Sequence, residues 1–236
     1  MTDHSQLVTE RGSRRFDTRL EMLSLVRQGG VLAEIGVFEG NFSQQLLDVC
    51  QPRELVLFDL WPDCEVMSGD VDGNNRRAFP GPDLERGVRA RFASDSHVRI
   101  IKGYSTTIRS FPADSFDMIY VDGDHGYHGV RDDLMNCWRV LKDGGWLMGH
   151  DYEINPAKTD STYQCGVKAA VTDFCRDYGE SITAFGMDGC VSFAIQVHKG
   201  GALRRALITI RTSLTNARNF ALRVWRKLRR IAGLPV

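Results

Sequence analysis

Six short runs of almost uniformly apolar residues, each closed by turn-forming residues, constrain this chain more than any other feature. They are VLAEI (31–35), ELVLFD (54–59), HVRIIK (97–102), FDMIYV (116–121), WLMG (146–149) and CVSFAIQV (190–197). Runs of this length without polar alternation suit strands buried on both faces of a sheet. Between them, residues 42–50, 84–92, 127–141 and 167–178 carry apolar side chains at helical steps. Strand and helix alternating in this way predict an α/β fold, a doubly wound and mainly parallel sheet with helices on both faces. With 236 residues, 42% of them hydrophobic, the chain can bury one core of ordinary domain size and not two large ones. The expected organisation is one domain over residues 1–199 and an appended tail over 200–236.

Phe16, Leu20, Leu23 and Val26 recur at steps of four, three and three, so the spacing predicts a leading helix over 14–28, ended by Gly29-Gly30. The helix over 127–141 places Tyr127, Val130, Leu134, Cys137, Trp138 and Leu141 together and closes at Lys142-Asp143-Gly144-Gly145. Residues 61–83, WPDCEVMSGDVDGNNRRAFPGPD, show no period and read as a long loop, of the kind that serves as a lid or substrate-binding element.

A net charge of zero hides an uneven distribution. From Gly200 onward stand nine basic residues (Arg204, Arg205, Arg211, Arg218, Arg223, Arg226, Lys227, Arg229 and Arg230) and no acidic one, which leaves 21 basic against 30 acidic residues in 1–199. Leu203, Leu207, Ile210, Leu214, Ala217, Ala221, Val224, Leu228 and Ile231 form a heptad stripe through that tail. A self-paired coiled coil would set cations against cations. An arginine-rich helix with one apolar stripe, and with Phe220 and Trp225 near it, better fits an anionic membrane surface. Docking on the acidic body or on a homodimer partner stays open. Nucleic acid is disfavoured, because an acidic body would not extend the basic footprint. The six cysteines form no CxxC pair, and several lie in apolar segments, as reduced, buried thiols do. No signal-peptide core and no membrane-spanning window occur. The expectation is a cytoplasmic protein, peripheral on the inner face of the membrane through its tail.

EIGVFEGNFS leads from the first run into a helix, with Glu34, Gly36 and Gly40 spaced as ExGxxxG, and Asp59 ends the second run. In a doubly wound sheet, glycines at this turn let the backbone approach a nucleotide closely, and a carboxylate ending the second strand can accept bonds from both ribose hydroxyls. A tight turn with Asp59 capping a loop is the plain alternative. A dinucleotide fingerprint would have glycine where Phe38 stands, and Glu34 and Glu39 put negative charge where a pyrophosphate would sit. A cationic sulfonium with an amino-acid tail would not be repelled. The turn therefore favours S-adenosylmethionine over NAD.

Taken with FDLW, IIKGYS and FDMIYVDGDHGYHGVRDDLMNCWRVLKDGGWLMGHDY, this turn resembles those of class I S-adenosylmethionine-dependent methyltransferases. More closely, the chain is similar to the branch that includes macrocin O-methyltransferase and related sugar O-methyltransferases. The resemblance covers roughly residues 15–198 and is most specific over 116–152. It implies a Rossmann-like sheet of seven strands with the last one, CVSFAIQV, antiparallel. It implies cofactor contacts from Glu34, Gly36, Phe38, Gly40 and Asp122, with Asp59 on the ribose. After the third strand the chain reads Gly103-Tyr104-Ser105 instead of the usual GDS-type turn, which moves the expected adenine contact to Ser105.

YVDGDHGYHG then gains its meaning. If FDMIYV and WLMG are adjacent parallel strands, Asp122, Asp124, His150 and Asp151 emerge at the same sheet edge as the cofactor turn. Methyl transfer to a hydroxyl needs alignment and a proton acceptor. The resemblance implies Asp122 and Asp151 as ligands of Mg2+ and Asp124 as the general base. Where the family pattern has two acids, however, this chain has His150-Asp151. An imidazole suits Mn2+, Fe2+ or Zn2+ better than Mg2+. Either Asp122, His150 and Asp151 hold a different metal such as Mn2+, or His150 is a second base and no metal binds. His125 is a third catalytic candidate or a helix-start hydrogen-bonding residue, Asp124 a base or an N-cap, and His128 a helix-surface residue.

The expected activity is O-methylation of a sugar or glycan-type acceptor, lipid-linked if the tail meets membrane. Two rivals stay open. One is a metal-dependent glycosyltransferase that uses Asp122-Gly123-Asp124 as a DxD motif; the other is a non-catalytic, membrane-recruited nucleotide-binding module. The acceptor would be chosen by residues 61–83 and 152–166, where Arg76, Arg77 and Tyr163 are candidates by position.

Overall fold

The computed structural model describes residues 12–63, 65–68, 77–153, 165–200 and 210. The chain divides into two compact units, Met1–His198 and Lys199–Val236. The tail helix expected over 200–236 lies outside the described residues but for Gly200 and Ile210, and so do Arg76 and Tyr163.

In the first unit the elements run β1 (Arg14–Phe16), α1 (Arg19–Met22), a 3-10 turn (Leu23–Leu25), β2 (Val31–Ile35), α2 (Asn41–Cys50), β3 (Glu54–Asp59), β4 (Glu65–Ser68) and β5 (Arg77–Pro80). They continue through α3 (Gly81–Arg91), β6 (Val98–Lys102), a second 3-10 turn (Ser105–Ser110), β7 (Phe116–Val121), α4 (Tyr127–Val140), β8 (Leu141–Glu153), α5 (Val167–Tyr178), β9 (Ala184–Gly186) and β10 (Val191–Gln196).

The main sheet has eight strands in the order β1-β9-β10-β8-β7-β2-β3-β6. All are mutually parallel except β10, which runs antiparallel to both β8 and β9. The reversed strand is CVSFAIQV, as expected. The uniformly apolar runs form the sheet interior because they can be covered on both faces: all five residues of β2 are buried, and β7 and β3 each bury at least four of six. α4 covers β7 and β8, burying Val130, Leu134, Cys137 and Trp138 at the helical steps read from the sequence. The Trp138 indole donates to buried Glu180, so its polar edge is satisfied.

Two expectations change. The segment 14–28 is not one helix. Arg14–Phe16 pairs in parallel with Ala184–Gly186, adding an edge strand, and Thr18 caps α1 by accepting the Glu21 N–H at 3.1 Å. The helical spacing of Phe16, Leu20 and Leu23 survives because all three still meet the core from a strand, a short helix and a 3-10 turn. The stretch 61–83 also holds more order than a loop: β4 and β5 pair as an antiparallel hairpin that runs into α3. Among the described residues no helix is long and apolar enough to cross a membrane.

β2 has β3 on one side and β7 on the other, so chain order reverses beside it. The crevice at the carboxyl ends of β2 and β7 is where a doubly wound sheet takes its ligand, and the residues singled out by sequence leave these strand ends.

Candidate functional site

The turn after β2 is built from main chain. Gly36 and Gly40 have φ of +88° and +74°, and Phe38 between them also lies in the left-handed region at +52°. A side chain at Gly36 has no room: its first carbon would fall 2.0 Å from the Asp122 carbonyl oxygen. The Asp122 N–H in turn donates to the Ile35 carbonyl at 2.7 Å. The two sequence motifs therefore touch through their backbones.

Asp59 braces this turn. Its Oδ2 accepts the Val37 and Phe38 N–H groups at 2.7 and 2.9 Å, and its Oδ1 accepts the Trp61 N–H at 2.9 Å. Trp61 is buried, and its indole donates to the Phe38 carbonyl at 3.0 Å. In the sequence Trp61 stands at the end of FDLW and at the start of the 61–83 stretch, with no role of its own. The signal available was FDLW itself, with an indole two residues beyond a strand-ending carboxylate.

Glu34 is buried at 1% exposure and accepts a hydrogen bond from the Ser43 hydroxyl on α2. Burial pushes its carboxyl up to about 8; the Ser43 bond opposes that shift, while the negative charges of Asp122 and Asp59 add to it. Arg19, brought in by α1, lays its guanidinium 4.6 Å from the centre of the Phe42 ring and lends positive charge to the Glu34 side of the crevice. No sequence pattern marks Arg19, since its placement depends on the β1–β9 pairing.

Asp122, His125, His150 and Asp151 converge at the ends of β7 and β8. His125 Nε2 lies 2.9 Å from Asp151 Oδ2 and 3.7 Å from Asp122 Oδ1. His150 Nδ1 lies 3.0 Å from Asp151 Oδ1 and 3.8 Å from Asp122 Oδ1. Asp122, His125 and Asp151 each offer one ligand atom within 4.8 Å of the others. Asp151 sits at φ +57°, a conformation that a non-glycine residue adopts at a cost and that aims one carboxylate oxygen at each ring. Gly149 just before it leaves no space for a side chain, which would meet the Phe193 ring and the Val121 carbonyl at 2.7 Å. Contacts with Asp122 and then Asp151 raise His125 to about 10. Burial opposes protonation of His150, yet the same two carboxylates outweigh it and raise that ring too. Burial would raise Asp151, but both imidazoles hold it below the usual carboxylate range. Cys165 donates its thiol to the Asp151 carbonyl at 3.4 Å.

The remaining candidates lie outside this group. Asp124 is exposed, and its Oδ1 accepts the Gly126 N–H at 2.7 Å, the N-cap-like arrangement at the head of α4. Its other oxygen lies where a side chain on Gly129 would have to go. Ser105 hydrogen-bonds Asp133 of α4, whose carboxyl burial raises to about 6. His128 is exposed on the helix, as expected.

A family model described as a methyltransferase domain matches residues 33–152, the stretch from β2 into β8. Comparison with curated proteins found no match. Solved structures share the fold at low identity. Fibrillarin from Aeropyrum pernix in complex with natively bound S-adenosyl-L-methionine superposes with a TM-score of 0.51 at 14% identity, over 72% of this chain and 67% of the other. N-methyltransferase NodS from Bradyrhizobium japonicum WM9 gives 0.52 at 18%, over 76% and 91%. The putative methyltransferase in complex with the Trm112 methyltransferase activator from Haloferax volcanii gives 0.53 at 13%, over 80% and 91%.

Proposed function

The chain belongs to the methyltransferase-domain family, and from that premise we propose that it is an S-adenosylmethionine-dependent O-methyltransferase acting on a hydroxyl of a sugar or glycan-type acceptor. One observation carries the reading: the Gly36 turn and the Asp122 strand end are in backbone contact, so a donor held by the first delivers its methyl beside the charged side chains of the second. The glycosyltransferase rival falls, because family membership accounts for the turn and Asp59, which a DxD motif leaves unexplained.

In this reading Glu34, Gly36, Phe38 and Gly40 face the methionine part of the cofactor, Asp59 the ribose and Ser105 the adenine. Glu34 is neutral when buried alone; the cofactor's ammonium and sulfonium draw its proton off and gain a carboxylate partner. The acceptor oxygen attacks the methyl carbon, the C–O bond forms as the S–C bond breaks, and S-adenosylhomocysteine leaves. The hydroxyl proton goes to a base. The carboxylate of Asp151 engages His125 and His150 at 2.9 and 3.0 Å, which makes both rings poorly placed to take that proton. Asp124, an exposed carboxylate at the same strand end, takes that role.

The Mg2+ implied by the sugar O-methyltransferase resemblance does not fit the residues present. Mg2+ asks for an octahedral shell of oxygens, and two of the four converging side chains offer nitrogen.

Calorimetry with S-adenosylhomocysteine and methyl transfer to a panel of sugars and glycolipids test the proposal. Asp124→Asn is expected to keep cofactor affinity and lose about a hundredfold or more in kcat. Absence of S-adenosylhomocysteine binding by the pure protein ends the reading.

A further inference from the structure

We propose that the cavity between α3 and the Glu39 side of the turn after β2 binds a neutral sugar unit of the acceptor. The proposal rests on the methyl-transfer reading for its link to catalysis, and on the cavity itself for the ligand.

α3 is held close to the site at two points. A side-chain carbon on Gly81, at its start, would fall 2.0 Å from the Pro62 carbonyl oxygen, and one on Gly40 would meet the Phe92 ring at 3.0 Å and Val88 at 3.5 Å. The helix therefore packs against the chain leaving β3 and against the turn after β2. Beside it opens a cavity of about 390 Å3, ample for a small ligand. Buried Leu84 and Val88 line it together with Pro80 and Gly87, and Glu39, Asp83 and Arg91 stand around it. Pro80 and Asp83 belong to the 61–83 stretch expected from the sequence to choose the acceptor.

Gly87 points to a ligand independently of the cavity's size. It lies inside α3, where glycine costs stability relative to alanine. A side-chain carbon there would meet nothing within 4 Å. Gly12, Gly29, Gly144 and Gly189 have similar open space, but each has a positive φ that calls for glycine. Gly87 has neither a crowding neighbour nor a left-handed backbone. What its missing side chain does is keep the cavity open.

Charge and donor type select the ligand. Asp83 pairs with Arg86 at 2.6 Å, and Asn41 accepts from Arg91 at 2.8 Å while donating to Glu39 at 3.0 Å. Two carboxylates are thus matched by two guanidinium groups, and the cavity favours neither a cation nor an anion. A carboxylate only accepts and a guanidinium only donates, whereas a hydroxyl does both. A sugar ring carries hydroxyls along its edge for the charged groups and C–H groups on its face for Leu84 and Val88. The rival account is an exposed helix glycine of no consequence beside a groove that binds nothing.

The test uses the purified full chain. Backbone amide NMR shifts are followed as methyl glycosides of glucose, galactose, mannose and rhamnose are added, with S-adenosylhomocysteine binding measured by calorimetry in parallel. The expected result is saturable shifts centred on Leu84, Gly87 and Val88, with glucuronate and glucosamine, one anionic and one cationic, bound less tightly. Gly87→Leu fills the cavity and should abolish the shifts at Leu84 and Val88, with a urea midpoint at or above wild type because a helix-weakening residue is gone. Glu39→Gln should weaken binding about tenfold. If a chain that binds S-adenosylhomocysteine shows no shifts with any glycoside, or if Gly87→Leu responds as wild type does, the cavity inference falls and the methyl-transfer reading stands. Preference for either charged sugar overturns the assignment of a neutral ligand. Glycoside shifts on α3 in a chain that does not bind S-adenosylhomocysteine would uphold the cavity and remove the methyl-transfer reading.

Discussion

The two halves of the crevice are built from different materials. On the donor side, the turn after β2 consists of main chain: positive φ at Gly36, Phe38 and Gly40, amides gathered by Asp59, and a glycine with no room for one more carbon. On the acceptor side, the ends of β7 and β8 present side chains whose charges are balanced against each other. A main-chain site is rigid because its groups have nowhere else to go. A side-chain site is held by forces that a ligand, an ion or a substitution can redistribute. Changes on the donor side should therefore cost stability and cofactor affinity together, while those on the acceptor side should cost turnover with little loss of fold.

Gly36→Ala gives the largest break in that contrast. Its new carbon would overlap the Asp122 carbonyl in a left-handed backbone, at a cost of about 4 kcal/mol or more, read as a shift in urea midpoint with S-adenosylhomocysteine binding lost. If the variant folds and binds normally, the donor side is not the rigid half. Next comes Asp124→Asn, with its hundredfold loss in kcat and no change in urea midpoint. A matched loss in stability would make Asp124 a helix cap alone. Asp59→Ala follows: it strands the Val37, Phe38 and Trp61 amides, and should cost about 1–3 kcal/mol together with cofactor affinity.

Glu34 supplies a smaller, pH-dependent effect. Burial disfavours the charge and pushes its carboxyl up to about 8, from an ordinary value of 4.5. Between pH 4.5 and 8 the folded state holds a proton that the unfolded chain has released. The contribution of Glu34 is thus full below pH 4.5, falls through that window and is gone above 8. Glu34→Gln should flatten the decline, measured as urea midpoint against pH. S-adenosylhomocysteine binding should tighten toward pH 8 in the wild type and not in the variant. The smallest effect belongs to His128→Ala, within about 0.5 kcal/mol of wild type and with turnover unchanged, since that ring is exposed.

The same contrast explains what could be read without a structure. β2, β3 and β7 fell on the residues expected because a strand covered on both faces leaves an unbroken apolar run. The three-residue strands β1 and β9 are too short to leave such a run, and Arg14–Phe16, mostly exposed, reads equally well as the start of a helix. On the donor side, glycine spacing carried the geometry, because only glycine tolerates the close approach. On the acceptor side the sequence supplied residue types and not their partners. That His125 reaches Asp151 and Asp124 turns toward Gly126 follows from one left-handed residue and one helix start. No local pattern encodes the first, and an N-cap reading only hints at the second.

The contact between Gly36 and residue 122 runs through main chain on both partners. The distance between the two halves of the reaction is consequently indifferent to which side chain residue 122 carries. Acceptor chemistry on this scaffold can be re-engineered by exchanging the groups at 122, 124, 125, 150 and 151, while the donor stays in register with whatever replaces them.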